Sequence, residues 1–326
     1  MKEKLIDIKD LSIEFNTSNG KVKAVDSVSF DIKKGEVFAL IGESGCGKST
    51  TAMGIMQLIK SPGSINGGEI NFDGIDLLKL SKEEMTAKRG KEIAMIFQNP
   101  LDSLNPVYTI GTQIMEGLLV EKIEKEEAWK RAYTMLKDVK ISDVESRMKS
   151  YPHEISGGMR QRVMIGMMLC RNPKLLIADE PTTALDVTIQ AGIIELMNDL
   201  RQKYDSSILI ITHDFGIVAD IADRVGVMYA GNLIEVAEVF EIFDNPKHPY
   251  TKLLMKALPT ITKEQGRLET IKGTVPNLAE EQHGCKFADR CPKVTSECRK
   301  IKPVLREVKP GHLCACIMEE GEIKNG

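Results

Sequence analysis

Residues 42–50 read GESGCGKST and follow directly on the apolar run VFALI at 37–41. Gly42, Gly47, Lys48 and Ser49 satisfy the pattern G-x-x-x-x-G-K-[ST], with Ser44, Gly45 and Cys46 inside the loop and Thr50 just beyond it. Glycines let the backbone curl so that several N–H groups converge on one anion, and a helix starting at Lys48 points its positive end at the same spot. In that arrangement Lys48 reaches the β- and γ-phosphates of a nucleotide, and the Ser49 hydroxyl ligates Mg²⁺. A Gly-rich turn is the plain alternative; the strand–loop–helix context favours phosphate. Cys46 lies near a helix N-terminus, which can lower a thiol pKa. It reads as a small tolerated residue with no chemical duty.

Two more stretches hold groups that phosphoryl transfer needs. KLLIADEP (174–181) has the pattern of a buried strand ending in two acids. Asp179 is placed to bind Mg²⁺ directly or through water, and Glu180 to orient and polarise an attacking water. Paired acids at a strand end can also serve only a turn; the presence of Lys48 favours the chemistry. In ISGGMRQRV (155–163) Ser156 opens an apolar helix and Gly157 and Gly158 follow, a second helix start suited to an anion. Two such starts on one chain are hard to aim at a single γ-phosphate.

Five of the seven cysteines, Cys285, Cys291, Cys298, Cys314 and Cys316, crowd the C-terminal end. Buried free thiols are the plain reading, but that density is too high for ordinary cysteine usage. Disulfides are disfavoured in a reducing compartment, which leaves metal ligation. The spacing x5, x6, x15, x1 contains none of the CxxC pairs of zinc ribbons. Cys-only ligation at irregular spacing suits an iron–sulfur cluster, though the spacing is not that of ferredoxins, and a Cys₄ zinc site stays open.

These groups need a scaffold, and 326 residues suffice for a full core and two domains. The chain is 42% hydrophobic and 28% charged with a formal net charge of −3, which gives no reason to expect nucleic-acid binding. The N-terminus lacks a signal-peptide pattern, and the longest apolar runs fall short of a bilayer span, so a cytoplasmic address is expected. Apolar residues alternate at Ile6 and Ile8, then at Leu11, Ile13 and Phe15, which predicts strands. Further strands are expected at 27–32, 37–41, 92–97, 174–179, 206–212 and 224–230, with a hairpin turning at Asp73–Gly74. Helical spacing dominates from about 110 to 171. Strands alternating with helices argue for a largely parallel α/β sheet with a helical insertion. Beyond about 235 the pattern breaks up into a Pro-rich tail.

In order along residues 5–235 the sequence resembles the ATP-binding cassette (ABC) ATPases. Walker A is 42–49, a Q-loop glutamine is Gln98, the signature is ISGGM (155–159), Walker B is LLIADE (175–180), ALD (184–186) matches the D-loop, and His213 in LIITHD matches the switch histidine. The signature has Ile for the usual Leu and Met for the usual Gln but keeps Ser156, Gly157 and Gly158. The resemblance implies two ATPase subunits paired head to tail with ATP between Walker A of one and the signature of the other. It implies that Phe15 stacks on adenine, that His213 contacts the γ-phosphate and acts with Glu180 and Gln98 in catalysis, and that Gln98 joins Ser49 and Asp179 around Mg²⁺.

EVFEIFDNPKHPYTKLLMKALP (238–259) and the cysteine tail resemble the C-terminal extension of oligopeptide/dipeptide-permease ATPases, a subgroup that also takes up solutes such as nickel. GGMRQRVMIGMML is closer to its D-type subunit than to the F-type partner. The expected fold class is therefore α/β: a P-loop ABC ATPase domain (1–235) with an inserted helical subdomain (about 99–171), then a small irregular Cys-rich extension (236–326). By that comparison Cys285, Cys291, Cys298 and Cys316 ligate a [4Fe–4S] cluster, with Zn²⁺ the alternative, and Cys314 is extra. Implied partners are transmembrane permease subunits, met through the turn-rich stretch 97–111 that holds Asp102 and Val107, an F-type ATPase subunit and, indirectly, an extracytoplasmic binding protein. No nucleic acid is expected. The implied location is peripheral, on the cytoplasmic face of the membrane. A soluble ABC ATPase of translation or DNA repair is the competing class. Such proteins usually hold two cassettes in one chain, and this chain has one Walker A and one signature. A non-enzymatic nucleotide sensor is a third reading, opposed by the intact Glu180 and His213.

Overall fold

The computed structural model describes residues 3–18, 20–98, 103–183, 186–257, 271–280 and 282–321. The chain begins with long strands β1 (Lys4–Thr17) and β2 (Gly20–Lys33), then β3 (Val37–Ile41), α1 (Lys48–Ile55), β4 (Gly63–Phe72) and β5 (Ile75–Asp76). It continues through α2 (Lys82–Lys88), β6 (Ile93–Ile96) and the helices α3 (Ile110–Val120), α4 (Lys125–Asp138), α5 (Val144–Lys149) and α6 (Gly157–Leu169). Next come β7 (Leu175–Asp179), α7 (Val187–Tyr204), β8 (Ser207–Ile211), α8 (Phe215–Ile221), β9 (Arg224–Tyr229) and β10 (Asn232–Glu238). The tail contributes α9 (Val239–Asp244), α10 (Pro249–Lys256), β11 (Arg306–Lys309) and β12 (His312–Cys314).

Two compact units share these elements. One comprises Met1–Leu5, Ile32–Val37 and Lys79–Thr212; the other comprises Ile6–Asp31, Phe38–Leu78 and His213–Gly326. In the first, β6, β7 and β8 form a parallel array in the order β8-β7-β6, with Ile93 opposite Leu175 and Leu175 opposite Ser207. Each residue of β7 and β8 is buried, as in strands covered on both faces. The helical spacing expected over 110–171 is realised as α3 to α6, which pack on one another.

The second unit holds two sets of strands. One runs β2-β1-β4-β5, with Ile6 opposite Phe72 in antiparallel pairing. The two alternating stretches read from Ile6–Ile8 and Leu11–Phe15 are one strand. The change of phase between them is a register shift between Lys9 and Ser12, where an extra residue returns the apolar side chains to the buried face. The hairpin β4–β5 turns at Asp73 and Gly74, both left-handed (φ 49° and 86°), as a tight two-residue turn requires. The other set runs β11-β12-β10-β9-β3, with β3 parallel to β9 and the remaining pairs antiparallel. Among the described residues no helix is long and apolar enough to cross a membrane.

Candidate active site

The phosphate loop leaves the buried strand β3 and enters α1 at Lys48, as its spacing predicts. Gly42, Gly45 and Gly47 have φ of 147°, 76° and 105°. A Cβ on Gly42 would fall 2.2 Å from the Met228 carbonyl oxygen, and one on Gly47 would fall 2.3 Å from that of Ala24. Gly42 and Gly47 are therefore required by both torsion and space, and Gly45, where a Cβ would meet nothing within 4 Å, by torsion alone. Lys48 Nζ is buried and donates to the carbonyls of Gly42 (2.7 Å) and Glu43 (3.0 Å). The ammonium thus already sits inside the loop. Ser44, Gly45 and Ser49 are exposed and Thr50 is half-buried. Cys46 is buried, and burial pushes its thiol up against the opposing pull of Lys48, so the helix-start effect does not prevail. Phe15 is half-buried on β1 opposite Gly63, where a Cβ would meet its ring at 2.6 Å. His213 is exposed and precedes Asp214, which caps α8 by accepting from Gly216 N–H at 2.8 Å.

Sequence reasoning missed the groups that hold this loop from the tail. The Glu43 N–H donates to the Tyr250 hydroxyl oxygen at 3.0 Å, and Tyr250 is fully buried at the start of α10. Arg290 donates to both Glu43 carboxylate oxygens, at 2.8 and 3.0 Å. Phe287 packs edge-on against Tyr229 and Tyr250, at 5.1 and 5.4 Å between centroids. Lys286 and Lys302 lie 3.1 and 2.9 Å from Asp26 Oδ2. Burial alone would raise the Asp26 pKa, but Lys302 and Lys286 more than offset it and hold the group at about 2. Glu235 is wholly buried and accepts from His248 N–H at 3.0 Å and lies 2.7 Å from His312 Nε2. The only local signals for these ties were the dipeptide His248–Pro249, which reads as a helix start, and a basic residue between cysteines.

In the other unit, Asp179 ends β7 in a buried position, and Glu180 follows with a left-handed backbone (φ 48°). For a non-glycine residue this is a strained conformation of the kind found at functional sites. It is held by Glu180 N–H donating to Ile211 O at 2.8 Å. Glu180 Oε2 accepts from Gln98 Nε2 and Thr183 Oγ1, both at 3.0 Å. Gln98 and Glu180, 82 residues apart in sequence, are thus brought together, and Thr183 is a partner the sequence reading missed. Ser156 caps α6 by accepting from Met159 N–H at 3.3 Å. A Cβ on Gly157 would meet nothing within 4 Å, whereas Gly158 lies against Ile189. Upstream, Gln113 clamps the turn-rich stretch by accepting from Asn105 N–H (2.8 Å) and donating to the Asn105 and Tyr108 carbonyls (3.0 and 2.9 Å). Val107 is left 69% exposed. Asp102, with the rest of 99–102, and Ala184 and Leu185 of the D-loop lie outside the described residues.

Cys285, Cys291, Cys298 and Cys316 line one small cavity together with His248, Phe287 and Met318. The Cys285 N–H donates to Cys298 O at 2.7 Å, drawing two of them together. Burial, then the neighbouring Cys291, Cys298 and Cys316, pushes the Cys285 thiol up to about 11. Cys314 sits buried on β12 opposite Glu235 and does not line this cavity. Among the described residues no set of three or more His, Cys, Asp or Glu side chains is arranged to hold a metal ion as it stands.

The family model described as ABC transporter matches residues 25–183, and that described as Oligopeptide/dipeptide transporter, C-terminal region, matches 234–298. The chain is 54% identical over 290 residues to the oligopeptide transport ATP-binding protein OppD of Bacillus subtilis, covering 88% of this chain and 81% of that one. It is 45% identical over 313 residues to the dipeptide transport ATP-binding protein DppD of Escherichia coli, covering 96% of each. Among solved structures it is similar to the dimeric ATP-binding cassette MJ0796 in a post-hydrolysis state bound to ADP and Pi. That match has a TM-score of 0.64 and 27% identity, and covers 72% of this chain and 98% of that one.

Proposed function

This chain belongs to the ABC transporter family, among the ATP-binding subunits of oligopeptide and dipeptide transporters, and on that premise we propose that it hydrolyses ATP to power import of di- or oligopeptides through a membrane permease. The observation that carries the reading is the loop at 42–49, where Gly42 and Gly47 have no room for side chains and the Lys48 ammonium is already inside.

Backbone N–H groups of the loop and Lys48 bind the phosphates, and Phe15 stacks on adenine. Ser49, Gln98 and Asp179 would hold Mg²⁺ through oxygen atoms, and the ion would supply positive charge to offset that of the phosphates. Glu180 holds the attacking water; two neutral donors on one of its oxygens fix the carboxylate while leaving it an acceptor. His213 contacts the γ-phosphate. Ser156, Gly157 and Gly158 serve the nucleotide of a second, F-type subunit in a head-to-tail dimer. The exposed Val107 supports a docking role for 97–111 on the permease, at the cytoplasmic face of the membrane.

We read 1–235 as the cassette, with a helical subdomain at about 99–171, and 236–326 as its Cys-rich extension. Four thiols lining one cavity fit a cation-bearing centre in donor type and convergence; burial, with the neighbouring cysteines adding to it, raises the pKa of Cys285, Cys291 and Cys316. Cys285, Cys291, Cys298 and Cys316 would hold a [4Fe–4S] cluster, with Zn²⁺ the alternative, which cross-links the tail and takes no part in hydrolysis.

Glu180→Gln is expected to bind Mg·ATP while hydrolysing it at least about 100-fold more slowly, and Lys48→Ala to lose nucleotide affinity. Both should abolish ATP-dependent uptake of a labelled dipeptide or oligopeptide by vesicles carrying the permease. Turnover by Glu180→Gln at the parent rate would remove Glu180 from this role.

A further inference from the structure

We propose that Arg290 is a positioning residue for the nucleotide, setting the phosphate-binding loop through Glu43. The inference rests on the reading of 42–49 as an ATP site. Glu43 is the second residue of the loop, and it is held from three directions. Its N–H donates to the Tyr250 hydroxyl (3.0 Å), its carbonyl accepts from Lys48 (3.0 Å), and its carboxylate is gripped at both oxygens by Arg290. Two of the three holds come from the tail, 207 and 247 residues away.

Arg290 itself is built in. Its side chain is 6% exposed. A guanidinium has five N–H donors, and each finds a partner here. Nε donates to Lys272 O at 3.1 Å. One terminal nitrogen serves Glu43 Oε2 (2.8 Å) and the Tyr229 hydroxyl (3.3 Å). The other serves Glu43 Oε1 (3.0 Å) and Ile271 O (3.3 Å). No ammonium reproduces that fork, so lysine is not an equivalent residue.

A carboxylate in a phosphate loop is a liability, because its charge opposes the polyphosphate. The bidentate pair neutralises that charge and fixes the backbone whose carbonyl holds Lys48. Without Arg290 the Glu43 charge is uncompensated beside the anion, and the penalty grows with the charge of the ligand. Arg290 closes the short turn Ala288–Arg290 between Cys285 and Cys291, so the geometry of the cysteine segment reaches the Glu43 carboxylate directly through this side chain.

The test is equilibrium binding of Mg·ATP and Mg·ADP to the full-length protein, with circular dichroism and thermal melting on each variant. Arg290→Ala is expected to weaken ATP about tenfold and ADP less. In a Glu43→Gln background the same change should cost less than about threefold for either ligand, since the charge it would expose is gone. Should Arg290→Ala fail to fold, Arg290→Lys carries the comparison, with a loss of about threefold for ATP that again shrinks beside Glu43→Gln. A merely structural role would lower the melting temperature without making the loss depend on ligand charge. Folded Arg290 variants with ATP affinity within twofold of the parent, or a loss undiminished in the Glu43→Gln background, would overturn the proposal. A parent protein that binds neither nucleotide would overturn the ATP-site reading as well, and so separates the two failures.

Discussion

His248 is buried at the start of α10, where its Nδ1 accepts the Tyr250 N–H at 3.1 Å and its backbone N–H donates to Glu235. That geometry needs a neutral ring. Burial, helped by Lys252 and opposed by Glu235, pulls its pKa from 6.5 down to about 4. The folded pKa lies below the unfolded one, so the unfolded chain takes up the proton first. The contribution of His248 to stability is complete above about pH 6.5, declines as pH falls and is gone near pH 4, a loss of about 3 kcal/mol. Melting temperature should therefore drop over this window, and His248→Asn, which keeps a cap acceptor, should flatten that slope. An unchanged slope would assign it to other groups. The residue scale also shows where sequence reading stops. Lys48 and its glycines were legible because a strand, a tight loop and a helix start are local events. Arg290 and Tyr250 were not, because nothing near either residue names Glu43.

At the scale of elements, the strands were legible where burial is uniform, as in β7 and β8, and so was the helix start at Ser156. What could not be read is how a turn-rich stretch is stiffened. Gln113, in the first turn of α3, satisfies three backbone groups of 105–108, so Val107 projects from a fixed frame. Val107→Glu is expected to leave basal ATP hydrolysis within about twofold of the parent and to cut peptide uptake at least about fivefold, because docking as proposed would bury the new charge. Loss of ATP binding with normal membrane docking would point elsewhere. The cysteine segment is the second such element, with little core of its own beyond Phe287. Protein purified without oxygen should be brown with about four irons per chain. Cys298→Ala should lose the iron and speed proteolysis within 271–321. Colourless protein with one zinc per chain would exclude the cluster and keep the cross-link.

For the whole molecule, the unit that holds the phosphate loop is closed by ties between its first and last stretches, including Lys302 to Asp26, 276 residues apart. Such contacts form only once the chain between them is organised, which is why no short window of sequence announces them. One of them reaches beyond stability. Strand β12 pairs along β10, with Glu235 opposite Cys314 and Val236 opposite Leu313, and β11, the four residues REVK, ends the series. A chain cut after Lys256 would leave β10 as an open edge: a row of unpaired N–H and C=O groups on a strand whose residues from Leu233 to Ala237 are all normally covered. Open apolar edges template further strands, whereas a short, charged final strand discourages them. The truncated chain should elute as high-molecular-weight aggregate at micromolar concentration where the full chain does not, and a discrete soluble species would contradict this. In colloidal terms, the last strands of the tail act as a terminator that stops one cassette from polymerising onto the next.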